Sequence, residues 1–468
     1  MAKRPLTRFV CQSCGAVYPK WSGKCEACGE WNSIVQETVE PTASRASRSK
    51  HRLTFTGLEG SAAPPPRITT KIEELDRVLG GGLVPASVVL VGGDPGIGKS
   101  TLLLQMACRL ATTGQRVAYI SGEESVEQIR MRARRLELTA PSLELAASIN
   151  VSDIAATLET DTPPGLVIID SIQTMWLDTI ESAPGSVAQV RACAFELIRL
   201  AKKRGFALVL VGHVTKEGGL AGPRVMEHMV DAVMYFEGDR GHQFRILRAA
   251  KNRFGATDEI GVFAMTDHGL VEVPNPSALF LAERHGNIAG SAVFAGLEGT
   301  RPVLLEVQAL LSPKGGDGSP RRAVVGWDSG RLSMLLAVLE ARCRLKLSAM
   351  DVYLNFAGGL RVSEPAADLA AAAAIISAAT GHPNSAGSVF FGEIGLSGEI
   401  RQVPQADLRL REAQKLGFTT AILPRRVSRD AARAKPPPGL DLHELGHLSS
   451  LVSALGVKEK DADEKNKA

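Results

Sequence analysis

The chain has 468 residues, enough for two or three domains, and 44% of them are hydrophobic, an ordinary value for globular proteins. The formal net charge of +4 is too small to indicate a nucleic-acid partner by itself. No apolar run approaches the roughly 20 residues that span a bilayer, and the first residues lack the apolar core of a signal peptide, so we expect a soluble, cytoplasmic protein with no membrane partner.

Two CxxC pairs lie close together near the N-terminus. Their members are Cys11, Cys14, Cys25 and Cys28. Gly15 and Gly29 follow the pairs and permit tight bends. Four thiolates at tetrahedral corners suit Zn²⁺, with iron as the minor option, whereas a redox-active protein usually uses a single CxxC at a helix N-terminus. The pattern predicts a structural zinc ribbon over residues 1–36. Tyr18, Trp21 and Trp31 are expected to form its small core, unless one of these aromatics contacts a partner.

The next two segments differ sharply in composition. Residues 37–66 are rich in Ser, Ala, Pro and basic residues, which is typical of a flexible linker. From residue 67 to 275, β-rich apolar runs such as SVVLVGG and GLVIIDS alternate with helical stretches. This alternation predicts an α/β domain with a mostly parallel sheet and helices on both faces.

A phosphate-binding loop is predicted between the first of these strands and the helix that follows it. The segment GDPGIGKS matches GxxxxGK[ST] without a mismatch. Backbone N–H groups and the helix N-terminus would hold the phosphates, Lys99 would reach the β- and γ-phosphates, and Ser100 would bind Mg²⁺. The residues expected to bind ATP and Mg²⁺ are Gly93, Asp94, Pro95, Gly96, Ile97, Gly98, Lys99, Ser100 and Thr101.

Acidic residues follow two further strands. Asp170 ends the strand LVIID, at the edge where open α/β sheets bind ligands, and is expected to hold Mg²⁺ through water. Ser171 stands where many P-loop ATPases carry a catalytic glutamate. The base must then lie elsewhere, and Glu123 and Glu124, after the strand RVAYISG, are the candidates. Either of them could instead begin the next helix, where acidic residues suit the helix dipole.

These motifs together carry a resemblance to a known family. GDPGIGKS, SGEES, VIIDS and VGHVTKEG resemble the RecA/KaiC branch of P-loop ATPases, in which the catalytic glutamate follows the second strand. The segment KNRFG, residues 251–255, resembles the motif of that sequence in the RadA (Sms) family of bacterial DNA repair proteins. The resemblance covers essentially the whole chain. It implies a RecA-like core with an N-terminal zinc ribbon and a C-terminal domain similar to that of Lon protease.

The resemblance suggests roles for two basic segments. Lys251 and Arg253 of KNRFG would either stabilise γ-phosphate charge on a neighbouring subunit or contact DNA phosphates; a solvated basic turn is the simplest alternative. The Gly-rich residues 215–224 resemble the loop with which RecA-like proteins hold single-stranded DNA, and Lys216 and Arg224 would pair with its phosphates. Without the resemblance, this segment is only a flexible connector.

One polar residue stands at the end of the strand FALVLVG. His213 resembles the polar sensor of the family, although a buried structural histidine would fit the same position.

The C-terminal block, residues 285–457, resembles the proteolytic domain of Lon but lacks the catalytic dyad. Ala366 stands where Lon has its nucleophilic serine and Asp407 where Lon has its lysine, while Ser363 lies at the wrong offset. We therefore expect a scaffold for ring assembly. Its arginines, such as Arg401, Arg409 and Arg411, would serve DNA contact. Residues 458–468 form a charged tail.

The resemblance implies an ATP-dependent, helicase-type motor that acts in recombination and DNA repair. Its expected partners are single-stranded and branched DNA, the RecA recombinase, and further copies of itself in a ring, a hexamer in the family. It would promote branch migration of recombination intermediates. Two alternatives remain: a KaiC-like ATPase scaffold that acts on protein partners, and an ATP-dependent peptidase, which the missing dyad disfavours.

Overall fold

The computed structural model describes residues 6–11, 16–27, 29–39, 66–212, 225–238, 243–257, 259–282, 284, 288–315, 318–425 and 437–454. The chain divides into two compact units, Met1–Val273 and Pro274–Ala468. None of the helices in the described ranges combines the length and the apolar character that a bilayer span requires.

The N-terminal segment forms a small antiparallel sheet of order β2-β1-β3. Its strands are β1 (Leu6–Cys11), β2 (Val17–Tyr18) and β3 (Ile34–Val39). The core consists of Cys11, Cys25 and Ile34, with Phe9, Ala16 and Tyr18 packed against it.

The expectation that Trp21 and Trp31 belong to this core is wrong. Trp21 is 59% exposed and Trp31 is 68% exposed. The core that forms consists of two thiols and Ile34, and both indoles lie outside it. Tyr18, the third aromatic, does pack against the core.

The rest of the first unit is built on a nine-stranded sheet of order β12-β11-β10-β9-β4-β8-β7-β5-β6. The strands are β4 (Val88–Gly93), β5 (Val117–Ser121), β6 (Leu143–Ala147), β7 (Leu166–Asp170), β8 (Ala207–Val211), β9 (Ala232–Glu237), β10 (Phe244–Asn252), β11 (Ile260–Thr266) and β12 (Gly269–Glu272). β4 to β9 pair in parallel, and β10 to β12 extend the sheet in antiparallel fashion.

The central strands are buried on both faces, which explains their continuous apolar sequences. In β4, Val89 and Val91 enter the core on one side of the sheet, and Val88 and Leu90 enter the core on the other. The helices of this unit are α1 (Glu73–Leu79), α2 (Lys99–Thr112), α3 (Val126–Arg135), α4 (Val151–Leu158), α5 (Val187–Arg204) and α6 (Val225–Met229). The predicted α/β fold with a mostly parallel sheet is confirmed.

The second unit has a seven-stranded sheet of order β15-β16-β14-β13-β17-β20-β21 and a separate pair, β18-β19. The strands are β13 (Ser291–Glu298), β14 (Arg301–Pro313), β15 (Arg322–Val325), β16 (Met350–Phe356), β17 (Ser388–Phe390), β18 (Glu393–Ile394), β19 (Ile400–Arg401), β20 (Thr420–Pro424) and β21 (Asp441–Leu445). The helices are α7 (Pro276–Phe280), α8 (Ser329–Cys343), α9 (Asp368–Thr380), α10 (Ala406–Lys415) and α11 (Leu448–Ala454). The Ala-rich α9 packs against β13 and β14 and is buried from Asp368 to Ser377, because small side chains allow a close approach.

Candidate active site

The residues predicted to bind phosphate and magnesium lie together at the carboxyl ends of the parallel strands in the nine-stranded sheet. We call this end of the sheet the nucleotide edge. β4, β5 and β7 run parallel within this sheet, so their carboxyl ends share that edge. β4 ends at Gly93 and leads into the phosphate-binding loop, and Ser121 at the end of β5 lies opposite Asp170 at the end of β7.

The loop conformation depends on glycine at two positions. Gly93 has φ 147°, and a Cβ there would lie 2.7 Å from the carbonyl oxygen of Phe236 on the neighbouring strand. Gly98 has φ 118° and occupies the N-cap position of α2, where no side chain caps the helix. The first N–H groups of α2 are therefore oriented for an anion.

Lys99 is the first residue of α2 and is only 4% exposed. Its Nζ donates to the carbonyl oxygens of Gly93 (2.7 Å) and Asp94 (2.9 Å), which holds it on the loop. Burial lowers the pKa of Lys99, while the charges of Asp170, Glu123 and Asp94 act in the opposite direction. One cation thus lies within electrostatic reach of both Asp170 and Glu123.

Asp170 is also buried, and it has a partner that sequence reasoning missed. The hydroxyl of Tyr119 donates to Asp170 Oδ2 at 2.5 Å. Burial, followed by the charge of Asp170 and this hydrogen bond, raises the pKa of Tyr119, which therefore stays a neutral donor. The signal available in the sequence was a tyrosine in the middle of the apolar run VAYIS. Asp170 and Ser171 are joined by a cis peptide bond.

Glu123 and Glu124 have different surroundings. The hydroxyl of Ser171 donates to Glu123 Oε1 at 2.5 Å, so Glu123 lies beside the end of β7. Glu124 forms an ion pair with Arg132 of α3. The Ser121 hydroxyl accepts from the N–H groups of both glutamates, at 3.2 and 2.9 Å, which holds the turn after β5. Ser125 and Gln128 form the capping box that begins α3, so neither glutamate caps it.

The remaining predicted nucleotide residues surround the loop. Asp94, Pro95 and Gly96 are exposed, and Ser100 and Thr101 are half-buried in the first turn of α2. Ile97 is 1% exposed and belongs to the core beneath the loop.

The KNRFG segment lies at the other end of these strands, beside the amino ends of β9 and β4. We call this end of the sheet the KNRFG edge. Asn252 of β10 pairs with Ala232 at the start of β9, and Ala232 pairs with Val89 near the start of β4. From Val89 to Gly93 the strand rises about 13 Å. Within one chain, the nucleotide edge and the KNRFG edge are therefore separated by the length of the central strands.

Both cations of KNRFG contact residues at that second edge. Lys251 is half-buried, and its Nζ donates to the carbonyl oxygens of Glu227 and Val230 at 2.7 Å each, at the end of α6. Burial lowers the pKa of Lys251, and the charge of Arg253 adds to the effect. Arg253 Nη1 donates to Oδ1 of the buried Asp231 at 3.1 Å, yet its side chain remains 56% exposed.

The described part of the ribbon contains one cysteine from each CxxC pair. Cys11 and Cys25 are buried in the same small core. Cys11 Sγ lies 3.2 Å from the Ser33 hydroxyl and Cys25 Sγ lies 3.1 Å from the Tyr18 hydroxyl. Two buried thiols in one small core, each with a hydroxyl neighbour, fit a thiolate-bound metal.

Several of the site residues predicted from the sequence lie outside the described residues. They are Cys14, Cys28, His213, Lys216 and Arg224.

In the second unit, ion pairs surround the position where Lon carries its nucleophile. Ala366 is fully buried in a short 3₁₀ turn, and Asp407 and Ser363 are exposed. Arg409 is 0% exposed and pairs with Glu364, two residues before Ala366. The expectation that Arg409 serves DNA contact is therefore wrong, because its guanidinium is enclosed by the protein.

Comparisons with known proteins agree with this architecture. A family model described as an AAA domain matches residues 61–219, one described as a rubredoxin metal binding domain matches residues 9–36, and one described as subunit ChlI of Mg-chelatase matches residues 333–427. The DNA repair protein RadA of Brucella abortus is 57% identical over 434 residues, which cover 91% of this chain and 92% of that protein. Proteins of the same name are 52% identical in Rickettsia felis (88% and 93% covered) and 50% identical in Bacillus subtilis (89% and 92%).

Proposed function

The chain belongs to the RadA family of DNA repair proteins, and on that premise we propose that its ATPase domain drives a helicase-type motor on DNA. The motor binds single-stranded and branched DNA and promotes branch migration of recombination intermediates together with RecA. It works as a homo-oligomeric ring, a hexamer. Zn²⁺ occupies the N-terminal ribbon as a structural metal.

The observation that supports hydrolysis best is the convergence of Lys99, Asp170 and Glu123 at one sheet edge. Lys99 binds the β- and γ-phosphates, Ser100 and Asp170 hold Mg²⁺, and Glu123 polarises the attacking water. When bound, Mg²⁺ neutralises charge on the phosphate oxygens. Glu124 is less suited to the role of base because Arg132 already pairs with its carboxylate.

The position of KNRFG favours a role between subunits. Lys251 and Arg253 lie at the sheet edge opposite their own phosphate-binding loop, so they act on ATP only across an interface. Arg253, with its exposed guanidinium, stabilises the transferring phosphate of a neighbour or binds DNA phosphates. Lys251 holds the end of α6, the helix that follows residues 215–224, and so links KNRFG to the proposed DNA-binding loop with Lys216 and Arg224.

The decisive experiment is the ATPase rate with and without single-stranded DNA. We expect DNA to raise the rate of the wild-type protein. Lys99→Ala should reduce turnover by roughly 100-fold or more, because charge stabilisation of the transferring phosphate is lost. Circular dichroism and thermal melting should show that this variant remains folded.

Two outcomes would contradict the proposal. Turnover retained in Lys99→Ala would refute the site assignment. A wild-type rate that DNA does not change would favour an ATPase scaffold that acts on protein partners.

A further inference from the structure

The N-terminal ribbon exposes two large aromatic side chains next to each other. Trp21 is 59% exposed and Trp31 is 68% exposed. A Cβ built on Gly23 would lie 3.8 Å from Cη2 of Trp21 and 3.9 Å from Cζ3 of Trp31, so both six-membered rings border the same glycine. Two exposed lysines belong to the same segment: Lys24, whose ammonium lies over the Trp31 ring, and Lys20, which directly precedes Trp21 in the sequence. We call this set of five residues the indole surface.

A short hairpin holds the indole surface in place. Lys24 and Trp31 form an antiparallel bridge, and the N–H of Asn32 donates to the carbonyl oxygen of Gly23 at 2.7 Å. The Lys24 ammonium lies over the Trp31 ring, 5.6 Å from its centre. The hairpin therefore keeps both rings at the surface of the protein, next to positive charge.

Folding of the ribbon does not account for these side chains. Its core is formed by Cys11, Cys25 and Ile34, and neither indole contributes to it. Adjacent exposed aromatics mark an interaction site more often than a structural one. By contrast, Trp327 of the second unit is only 6% exposed.

We propose that the indole surface stacks against bases of single-stranded DNA while Lys20 and Lys24 pair with its phosphates. Every base offers a π-face to an indole, and cations beside the rings complement the phosphate backbone. Among the described residues, no carboxylate pairs with either lysine. This inference rests on the proposed function, to which it adds a second contact with DNA, distant in sequence from KNRFG and from residues 215–224.

The test measures binding of a fluorescein-labelled oligothymidylate to the full-length protein by fluorescence anisotropy, over a range of salt concentrations. Trp21→Ala and Trp31→Ala should each weaken binding about 5- to 30-fold, while Trp21→Phe and Trp31→Phe should retain most of the affinity. Lys20→Ala and Lys24→Ala should each reduce the slope of log K against log salt by about 0.7, a change that the tryptophan variants should not show.

Matched controls separate stacking from damage to the ribbon. Val17 and Val35, in β2 and β3 of the ribbon, are 57% and 50% exposed but do not belong to the indole surface. Val17→Ala and Val35→Ala should therefore bind the oligonucleotide like wild type. Metal content and ATPase without DNA should be unchanged in all of these variants. Wild-type affinity in both alanine variants of the tryptophans, or affinity that phenylalanine does not restore, would overturn the proposal.

The two proposals fail in different ways. If single-stranded DNA neither binds to the wild-type protein nor stimulates its ATPase, the proposed function itself is wrong. If DNA binds and stimulates normally but the tryptophan variants match wild type, only the stacking proposal is wrong, and the indole surface then serves a protein partner.

Discussion

At the scale of single residues, the two adjacent glutamates after β5 are distinguished by their neighbours. Ser171 donates to Glu123, and Lys99 lies within the electrostatic reach of Glu123. Glu124 is turned towards Arg132 of α3. One carboxylate therefore belongs to the nucleotide edge, whereas the other joins the turn to the next helix.

These surroundings predict different outcomes for a matched pair of variants. Glu123→Gln should bind ATP normally and hydrolyse it about 100- to 10,000-fold more slowly, because an amide cannot act as a base towards the attacking water. Glu124→Gln keeps the side-chain shape, loses the charge that pairs with Arg132, and should hydrolyse ATP within a few-fold of wild type. Single-turnover hydrolysis and binding of a fluorescent ATP analogue would measure both steps. The reverse ranking would assign the base to Glu124.

The same residues show how far a sequence can predict a site. The phosphate-binding loop is a local pattern, because eight consecutive residues carry its glycines, lysine and serine. The choice between Glu123 and Glu124 depends on Ser171 and Arg132, which no local pattern associates with either residue. Tyr119 was missed for the same reason: its hydroxyl meets Asp170 only after β5 and β7 pair.

At the scale of secondary-structure elements, a buried ion pair joins α10 to the segment before α9. Arg409 Nη1 donates to the Ala295 carbonyl oxygen at 2.8 Å and to Glu364 at 3.1 Å, and its guanidinium lies 5.6 Å from the centre of the Phe391 ring. Glu364 also accepts from the N–H of Leu297. Glu364 lies two residues before Ala366, the position at which Lon-type chemistry would need a nucleophile.

Removal of this arginine should destabilise the second unit strongly. Arg409→Ala leaves the Glu364 carboxylate uncompensated and opens a cavity, at a cost of about 3–5 kcal/mol in the free energy of unfolding. Urea denaturation of the full chain would measure the effect. Arg401→Ala is the matched control: its side chain is 57% exposed and pairs with Glu399 at the surface, so the loss should stay below about 1 kcal/mol. Equal losses in the two variants would show that Arg409 has no special structural role.

The sequence predicts strands correctly where both faces of the strand are buried, because such a strand needs an apolar residue at nearly every position. Strands with two covered faces are continuous apolar runs, and the β4, β7 and β8 segments were identified on that basis. The predictions for Arg409 and the two ribbon tryptophans were wrong because they relied on the usual burial of each residue type. Arginine is usually exposed and tryptophan is usually buried, and here both cases are reversed. A guanidinium can be buried when a carboxylate and carbonyl groups surround it, and an indole can be exposed when the core is already full.

At the scale of the whole molecule, the phosphate-binding loop and Arg253 lie at opposite ends of the strands in one chain. The two proposed roles of Arg253 therefore predict different ATPase rates for an assembly of several chains. If Arg253 completes a neighbour's site, Arg253→Ala should reduce ATPase about 1,000-fold or more even with saturating DNA. Mixing it with Lys99→Ala subunits should restore part of the activity, because some interfaces then combine an intact loop with an intact Arg253. The Arg253→Ala, Lys99→Ala double variant serves as the control and should restore none.

The alternative role for Arg253 has a separate signature. If it binds DNA instead, ATPase without DNA should survive in Arg253→Ala, DNA stimulation should fall, and mixing should restore nothing. Normal rates under both conditions would remove KNRFG from the mechanism.

The order of strands in the whole sheet was beyond reach of the sequence. Alternating strands and helices predict a parallel sheet, yet nothing local indicates that β4 lies between β8 and β9. That arrangement comes from contacts between residues far apart in the chain. The antiparallel pairing of β10 with β9, which itself runs parallel to β4, places KNRFG and the phosphate-binding loop at opposite ends of the strands, a point that the motifs alone left open.

The placement of β4 has a consequence for synthesis on the ribosome. The hydrogen bond from the Val88 N–H to Asp231 spans 143 residues, and β8 on the other side of β4 is also made much later than β4 itself. At 5–20 residues per second, β4 waits roughly 7 to 30 s for its second neighbour. Until β8 is made, the apolar strand β4 has two unpaired edges, and until β9 is made it has one, the condition under which nascent chains aggregate or recruit chaperones. The phosphate-binding loop is thus translated well before the two strands that flank β4.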